Sequence, residues 1–457
     1  MSDSFSDMVA AQHRFFATGQ TLDSSFRIAA LKKLKRAIRE AEKEIFSALE
    51  KDLGKNAFEA VTSEIGIVLG EIRSAQKLIR KYATWRRVPT PLFLWPSRSR
   101  LQYEPLGVCL IIAPWNYPFQ LALAPLVGAI AAGNCAVVKP SERSVHTSQV
   151  IARILSRAFL PEHVRTVIAD RNESAALLRQ PFDKLFFTGS RAVGKIVYRE
   201  AAEKMVPCTL ELGGKNPCIV MDDADIAMAA RRIVWGKFFN AGQTCVAPDY
   251  LLVHTRVLVP LQQAIQAEIR TQFGQSPADC PHYGRLIDDV HLNGLKALLR
   301  GTSPLCGGEF REEDHFLSPT VVSADWDHPL MADEIFGPIL PVLPFDDLDH
   351  ALEKIRGLPK SLALYVFTRT RTTAKRIFRS LSFGGGCIND TLVHFSSPYL
   401  SVGGVGQSGT GRYRGMDGFR AFSNIKAVVE TPGFPDLKLR YPPFGAARLR
   451  LVKKLMK

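Results

Sequence analysis

One of the eight cysteines sits where a nucleophile could work. Cys245 lies in FFNAGQTCVAPDY, a polar, Gly-containing loop between a helical segment and a strand. A catalytic cysteine must be reachable as thiolate and held where a carbonyl carbon can arrive. The neighbours Asn240, Gly242, Gln243 and Thr244 are not core-like, whereas Cys109 and Cys135 lie in apolar strands and read as core. A buried structural thiol is the commoner fate of the residue type, and that alternative stands at this level. Glu211, between two leucines in TLELGGKNP, is either a buried ion-pair member or a carboxyl tuned for proton transfer. Asn116, in the strand-end turn APWNYPF, is a turn asparagine or an amide able to donate to a developing oxyanion.

A fourth stretch, FFTGSRAVGKI, mimics a nucleotide-triphosphate loop: Gly189, four residues, Gly194, Lys195. The metal-ligating hydroxyl of that motif is replaced by Ile196, which cannot hold Mg²⁺. A strand ending at Thr188 and a helix from Ala192 still put free N–H groups at the ligand edge of a sheet. That suits a pyrophosphate, and a simple packing turn equally well. Lys195 reads as a solvated helix residue.

These residues need a scaffold. A chain of 457 residues implies two or three domains, and 46% hydrophobic with 23% charged residues is a globular composition. The formal charge of +15 is dispersed, without zinc-finger spacing, RNA-binding aromatics or a polybasic block, so no nucleic-acid role is expected. Scattered cysteines and an N-terminus without a signal-like apolar run point to the cytoplasm. The charge-free stretch between Glu104 and Lys139 is broken by prolines, and its apolar part, 119–132, reads as a buried core helix rather than a membrane span. The spacing of Leu31, Leu34, Ile38, Ile45, Leu49 and Leu53 predicts one amphipathic helix over 23–54 ending at Gly54. Strand-like runs at 107–114, 134–140, 164–169 and 184–189 alternate with helices, which implies a parallel, doubly wound α/β sheet; a second α/β run follows Gly214. At the C-terminal end, Leu449, Leu451, Val452 and Leu455 alternate with Arg448, Arg450, Lys453 and Lys454. This basic amphipathic helix covers the body or a partner, or touches an anionic membrane through 441–457.

Asn116 in PWNYPF, Lys139 in VVKPSE, Gly189 and Gly194 in FTGSRAVG, Glu211 in LELGGKNP, Cys245 in GQTCVAPDY and Glu334 to Pro338 in EIFGP occur in that order. Together the motifs resemble the aldehyde dehydrogenase superfamily over roughly residues 25–430, and their wording is most similar to the class 3 branch of fatty, aromatic and coniferyl aldehyde dehydrogenases. The resemblance implies two doubly wound Rossmann-like domains with a small bridging and oligomerisation β element. The coenzyme domain would span 1–210, with 83–103 in the bridging element, and the catalytic domain 211–410. Residues 411–434 would return to the coenzyme and bridging region, ahead of the basic tail 435–457.

It further implies NAD(P)-dependent oxidation of an aldehyde, medium- or long-chain aliphatic or aromatic, through a thiohemiacetal and a thioester on Cys245. Asn116 would hold the oxyanion, and Glu211 would activate the hydrolytic water. NAD is the expected cofactor, with NADP possible. Lys139 and Glu142 would meet the adenosine ribose; Gly189, Ser190 and Gly194 would surround the pyrophosphate; Glu334 would hold the nicotinamide ribose, Phe336 would pack by the nicotinamide ring, and Trp115 would also contact the cofactor. A homodimer is expected, and no metal. Ser401 and Val402 stand where the family has Pro-Phe, which predicts extra room near the cysteine, open to a bulkier substrate or to Tyr399. Two other readings are weaker. ATP-dependent transfer is disfavoured by Ile196, and a retired dehydrogenase fold, kept for binding or structure, by retention of Cys245, Glu211 and Asn116.

Overall fold

The strands Val108–Ile112, Cys135–Lys139 and Lys184–Gly189 are continuous apolar runs, the pattern of parallel strands covered on both faces. They form the centre of a six-stranded sheet ordered 409–410, 208–212, 184–189, 108–112, 135–139, 164–166. All pairings are parallel except that of Gly409–Thr410 with Cys208–Leu212. The chain winds outward from 108–112 through 135–139 to 164–166, then returns to the other side of 108–112 with 184–189. The reversal opens a crevice between the ends of those two strands, where doubly wound sheets bind ligands. Ala113–Asn116 and Gly189–Ser190 leave from its two sides.

This computed structural model describes residues 2–436 and 441–456; Met1, 437–440 and Lys457, which belong to the expected coenzyme domain and tail, lie outside them. A second, seven-stranded sheet runs 304–306, 320–323, 339–345, 250–254, 217–220, 363–367, 385–388, antiparallel only at its 304–306 edge. The helices Ile226–Phe238 and Thr255–Phe273 flank it and pack on each other. A third, antiparallel sheet joins Arg86–Val88, Arg98–Pro105 and Ser423–Glu430. The architecture is α/β. Cys208–Leu212 straddles residue 210 and lies wholly in the first sheet, and the chain is back on that sheet by Gly409.

Two local expectations change. The segment 23–54 is two helices, Ser24–Glu40 and Glu42–Leu53, parted at Ala41 (φ −94°, ψ 8°). The break re-aims the second apolar stripe, so that Leu31, Leu34 and Ile38 and also Ile45, Leu49 and Leu53 are all buried. The helix behind the phosphate-loop mimic starts at Arg191, because Ser190 caps it by accepting the Val193 N–H. The core helix Pro118–Ala132 is as expected: Pro118 opens it, Gly133 (φ 100°) closes it, and nearly every side chain is buried. No helix among the described residues is long and apolar enough to cross a membrane.

Phe186 ties the first sheet to the returning C-terminal segment. Its ring is fully buried, edge-on to Tyr413 at 5.1 Å and stacked on Phe422 at 5.8 Å. Phe186→Ala is expected to destabilise the protein by about 3–5 kcal/mol, read as a lower denaturant midpoint.

Candidate active site

The helix Ile226–Phe238 ends abruptly, and three residues then take left-handed backbone: Asn240 (φ 55°), Ala241 (φ 50°) and Gly242 (φ 73°). A non-glycine pair there is strained and persists only if its surroundings over-determine it. They do. Asn240 Nδ2 donates to the Asn116 carbonyl at 2.9 Å and the Gln243 carbonyl at 3.1 Å. Gln243, fully buried, donates to the carbonyls of Asn240 (3.0 Å) and Arg285 (2.9 Å) and accepts from Ile287 N–H at 3.1 Å. A Cβ on Gly242 would lie 2.3 Å from the Gly337 carbonyl, so the loop docks on the EIFGP turn through a position only glycine fits. Beyond Cys245, Asn216 Nδ2 holds the carbonyls of Cys245 (2.8 Å) and Ala247 (3.0 Å), and Tyr365 Oη donates to that of Val246 at 2.5 Å.

Asn116 reaches this loop from the first sheet. Its Nδ2 donates to the Gln243 carbonyl at 3.0 Å, which leaves the second N–H of the amide for a ligand. Next to it, Tyr117 Oη and Thr244 Oγ1 share a hydrogen bond of 2.6 Å. Cys245 opens on a cavity of about 120 Å³ whose walls are largely apolar, among them Leu121, Trp235, Phe239, Leu392 and Phe395.

Two carboxyls approach the sulfur. Glu211, in register with Thr188 and Gly409, is buried, and its Oε1 has no partner among the described residues. Burial pushes its carboxyl up to about 8, against the pull of Arg412 and Arg414. Glu334 rises likewise to about 8, through burial and the charge of Asp249, opposed by the Gly214 N–H. Its carboxyl fills the place of the missing Cβ of Gly213, 1.8 Å from Oε2. Lys215 fixes that turn by donating to Asp249 Oδ2 (2.5 Å) and the Asp333 carbonyl (2.9 Å), and Asp249 accepts the Ile335 N–H at 3.1 Å. Burial, then the charges of Glu334 and Glu211, push the Cys245 thiol up to about 12; the Cys245 and Val246 N–H groups counter this at the sulfur. The protein alone therefore keeps a thiol, not a thiolate, at neutral pH.

The residues expected to hold a cofactor differ in their surroundings. Trp115 stands edge-on to Phe336 at 5.5 Å, and Phe336 holds φ 55°. Lys139, buried at its strand end, pairs with Glu142; partial burial notwithstanding, the ammonium holds that carboxyl below its ordinary range. Gly189 has no room for a Cβ, which would meet the Phe187 ring at 2.7 Å. Ser190 is exposed at the helix start, whereas Gly194 faces inward, 2.7 Å from Leu212 at the Cβ position, and lets the helix close on its strand. Lys195 is exposed.

Some residues were not foreseen. Arg143 lies over the Trp115 ring at 4.6 Å and grips Asp288 with two bonds of 2.7 Å, and His291 bonds the Phe336 carbonyl at 2.9 Å. Nothing in the local sequence marks them. Val193 and Ile196, 45% and 54% exposed, do carry a signal: two aliphatic residues at i, i+3 on a solvent face. One expectation is corrected. Val402 is buried and bonded to Tyr413 by a two-hydrogen-bond bridge (2.9 and 2.8 Å), away from the cavity, and Tyr399 is 90% exposed. Phe395 is among the residues that line the cavity beside Cys245, and Val402 is not.

Comparison with known proteins agrees with this geometry. The aldehyde dehydrogenase family model matches residues 2–428. The chain is 44% identical over 446 residues to 4,4'-diaponeurosporen-aldehyde dehydrogenase of Staphylococcus aureus, covering 97% of each chain. It is 42% identical over 453 residues to human aldehyde dehydrogenase family 3 member B1, covering 98% of this chain and 97% of that one. A solved structure described as the substrate-bound state of Staphylococcus aureus AldH superposes with a TM-score of 0.96 at 43% identity, covering 99% of both chains. Fold and likeness together define an NAD(P)-dependent oxidoreductase of class EC 1.2.1.-. The chain belongs to the aldehyde dehydrogenase family, and it resembles the family 3 enzymes.

The charges around the sulfur make a direct prediction. Alkylation of Cys245 in the cofactor-free protein should keep accelerating beyond pH 9 without a plateau, because the thiol titrates well above its ordinary range. At pH 9, where Glu211 and Glu334 are ionised, Glu211→Gln and Glu334→Gln should each accelerate it by removing a negative charge.

Proposed function

We propose that the protein oxidises apolar aldehydes to carboxylic acids with Cys245 as nucleophile, Asn116 as oxyanion donor and Glu211 as the base for water. The observation that carries this is the convergence of the three: Asn116 is bonded to the nucleophile loop, and the Glu211 carboxyl acts electrostatically on the Cys245 thiol, which opens on a largely apolar cavity. Cys245 gives up its thiol proton to water, and Sγ adds to the aldehyde carbon: the C–S bond forms as the C=O π bond opens onto oxygen, giving a thiohemiacetal. The free N–H of Asn116 and the Cys245 N–H hold its oxyanion, which stabilises the tetrahedral carbon more than the flat aldehyde. Loss of hydride leaves a thioester on Cys245. Glu211 then takes a proton from water, whose oxygen attacks the thioester and frees the acid and the thiol.

The crevice residues fit a nicotinamide dinucleotide. The N-terminus of Arg191–Glu203 presents N–H groups for a pyrophosphate, the buried Thr188 Oγ1 beside it has no partner among the described residues, and Val193 and Ile196 offer a bare apolar face for a flat base. When bound, the dinucleotide supplies the hydride acceptor and a positive ring. Lys139, Glu142, Gly189, Ser190 and Glu334 are the residues that would hold its phosphates and riboses, with Trp115 and Phe336 bordering the ring. Glu142 opposes an added phosphate on the ribose, so NAD is preferred and NADP accepted.

The aromatic and aliphatic cavity walls favour long aliphatic or aromatic aldehydes, in line with the aldehyde in the name of the Staphylococcus relative. Ser423–Glu430 is an edge strand with Ile425 and Val429 half exposed, a surface suited to pairing in a homodimer. The scattered, unpaired cysteines suit the cytoplasm. Peripheral membrane contact is favoured by one observation. The helix Ala446–Leu455 exposes Leu449 and Leu451 beside Phe444, and it packs near a turn that exposes Leu92, Phe93 and Trp95.

NADH formation over an aldehyde panel tests the reaction. Cys245→Ser should abolish it with folding intact; unchanged turnover would sink the covalent route. Glu211→Gln should give one equivalent of NADH per site and then stall as thioester. In the native enzyme the deacylation rate should rise with pH through about 8, since Glu211 works only when ionised. Sedimentation with anionic liposomes should weaken on deleting 441–457; equal pelleting would remove the membrane contact.

A further inference from the structure

A lysine from the N-terminal helical layer enters the site from behind. Lys55 follows the Gly54 cap, and its side chain is fully buried. The ammonium spends itself on one small region. It donates to Glu64 Oε1 at 2.7 Å and to the Asn116 carbonyl at 3.0 Å, and it stands 4.0 Å from the centre of the Tyr117 ring. Glu64, equally buried, turns its other oxygen to the Gln120 N–H at 2.7 Å, in the first turn of the helix that follows Asn116. The pair thus clamps both ends of the turn 116–120. A second buried carboxyl, Glu59, lies near the other arm and faces the backbone N–H of Asn240, the strained first residue of the nucleophile loop.

A buried ion pair is a poor device for stability, since apolar residues of similar volume often serve as well or better. It is a good device for fixing one geometry. The carbonyl of Asn116 belongs to the peptide that sets the backbone from which its side chain projects. That carbonyl takes two donors, Lys55 Nζ and Asn240 Nδ2. We infer that Lys55 is a positioning residue for the oxyanion arm: by holding the Asn116 carbonyl it aims the Asn116 amide at the place where the substrate oxyanion forms. Lys55 touches neither substrate nor cofactor, and Glu64 holds the lysine in turn. The inference rests on Asn116 being the oxyanion donor.

The test is a double-mutant cycle on the full chain, reading the pre-steady-state rate of NADH formation and kcat/KM for the aldehyde. NADH affinity by fluorescence and the unfolding midpoint serve as controls. Asn116→Ala alone should slow the burst about 10²–10³-fold. Lys55→Met should slow it about tenfold or more, with NADH affinity unchanged. In the Asn116→Ala background, Lys55→Met should cost nothing further, because the group it aims is gone. An equal loss in both backgrounds overturns the inference while leaving the oxyanion reading intact; a native burst rate in folded Lys55→Met does the same. A native rate in Asn116→Ala sinks both. If Lys55→Met does not fold, Lys55→Met with Glu64→Gln removes both buried charges and keeps an acceptor for the Gln120 N–H. That protein should fold and remain slow, and recovery of the native burst rate would overturn the inference.

Discussion

Two backbone carbonyls hold the candidate active site together. That of Asn116 accepts from Lys55 and Asn240, and that of Gln243 accepts from Asn116 and Asn240. Through these four hydrogen bonds a turn at the end of the first sheet, a loop of the second domain and the N-terminal helices share one geometry. Each bond contributes only about 1 kcal/mol net to stability. Leaving any of these buried groups unpaired costs more, so the arrangement is selected by the penalty for breaking it. The left-handed backbone at Asn240 and Ala241 persists because of this constraint.

The same enclosure sets the proton chemistry. Burial, helped at Glu334 by the charge of Asp249, makes Glu211, Glu334 and Cys245 hold their protons beyond their ordinary ranges, and each carboxylate raises the thiol further. A thiol flanked by two weakly acidic carboxyls is a poor nucleophile at neutral pH, and its reactivity depends on every charge placed around it.

The EIFGP turn and the Trp115 turn meet the same crevice from opposite domains. Arg143 and Asp288 join them across the gap, with Trp115, His291 and Phe336 packed edge to face between. Lys215 and Asp249 anchor Glu334 from beneath. This side of the crevice is therefore a composite of both sheets, joined by the Arg143–Asp288 ion pair and the three edge-to-face rings.

By itself the sequence determined the alternation of strands and helices, the switch-point sheet, the polar loop that carries Cys245 and the strand-end turn that carries Asn116. Those are local properties: apolar runs, glycines and the period of the pattern decide them. It also supplied the ordered motifs behind the family resemblance. It misjudged Ala41, because no proline or glycine marks a break that tertiary packing imposes. It misplaced Val402 and Tyr399, because the direction of a side chain in an irregular segment depends on the bridge to Tyr413. Lys55, Glu64, Arg143 and His291 were illegible, since a charged residue in a helix or loop has the same local pattern whether it faces water or a distant carbonyl. Only folding decided which did which, by excluding water from some charges and forcing them to find partners far along the chain.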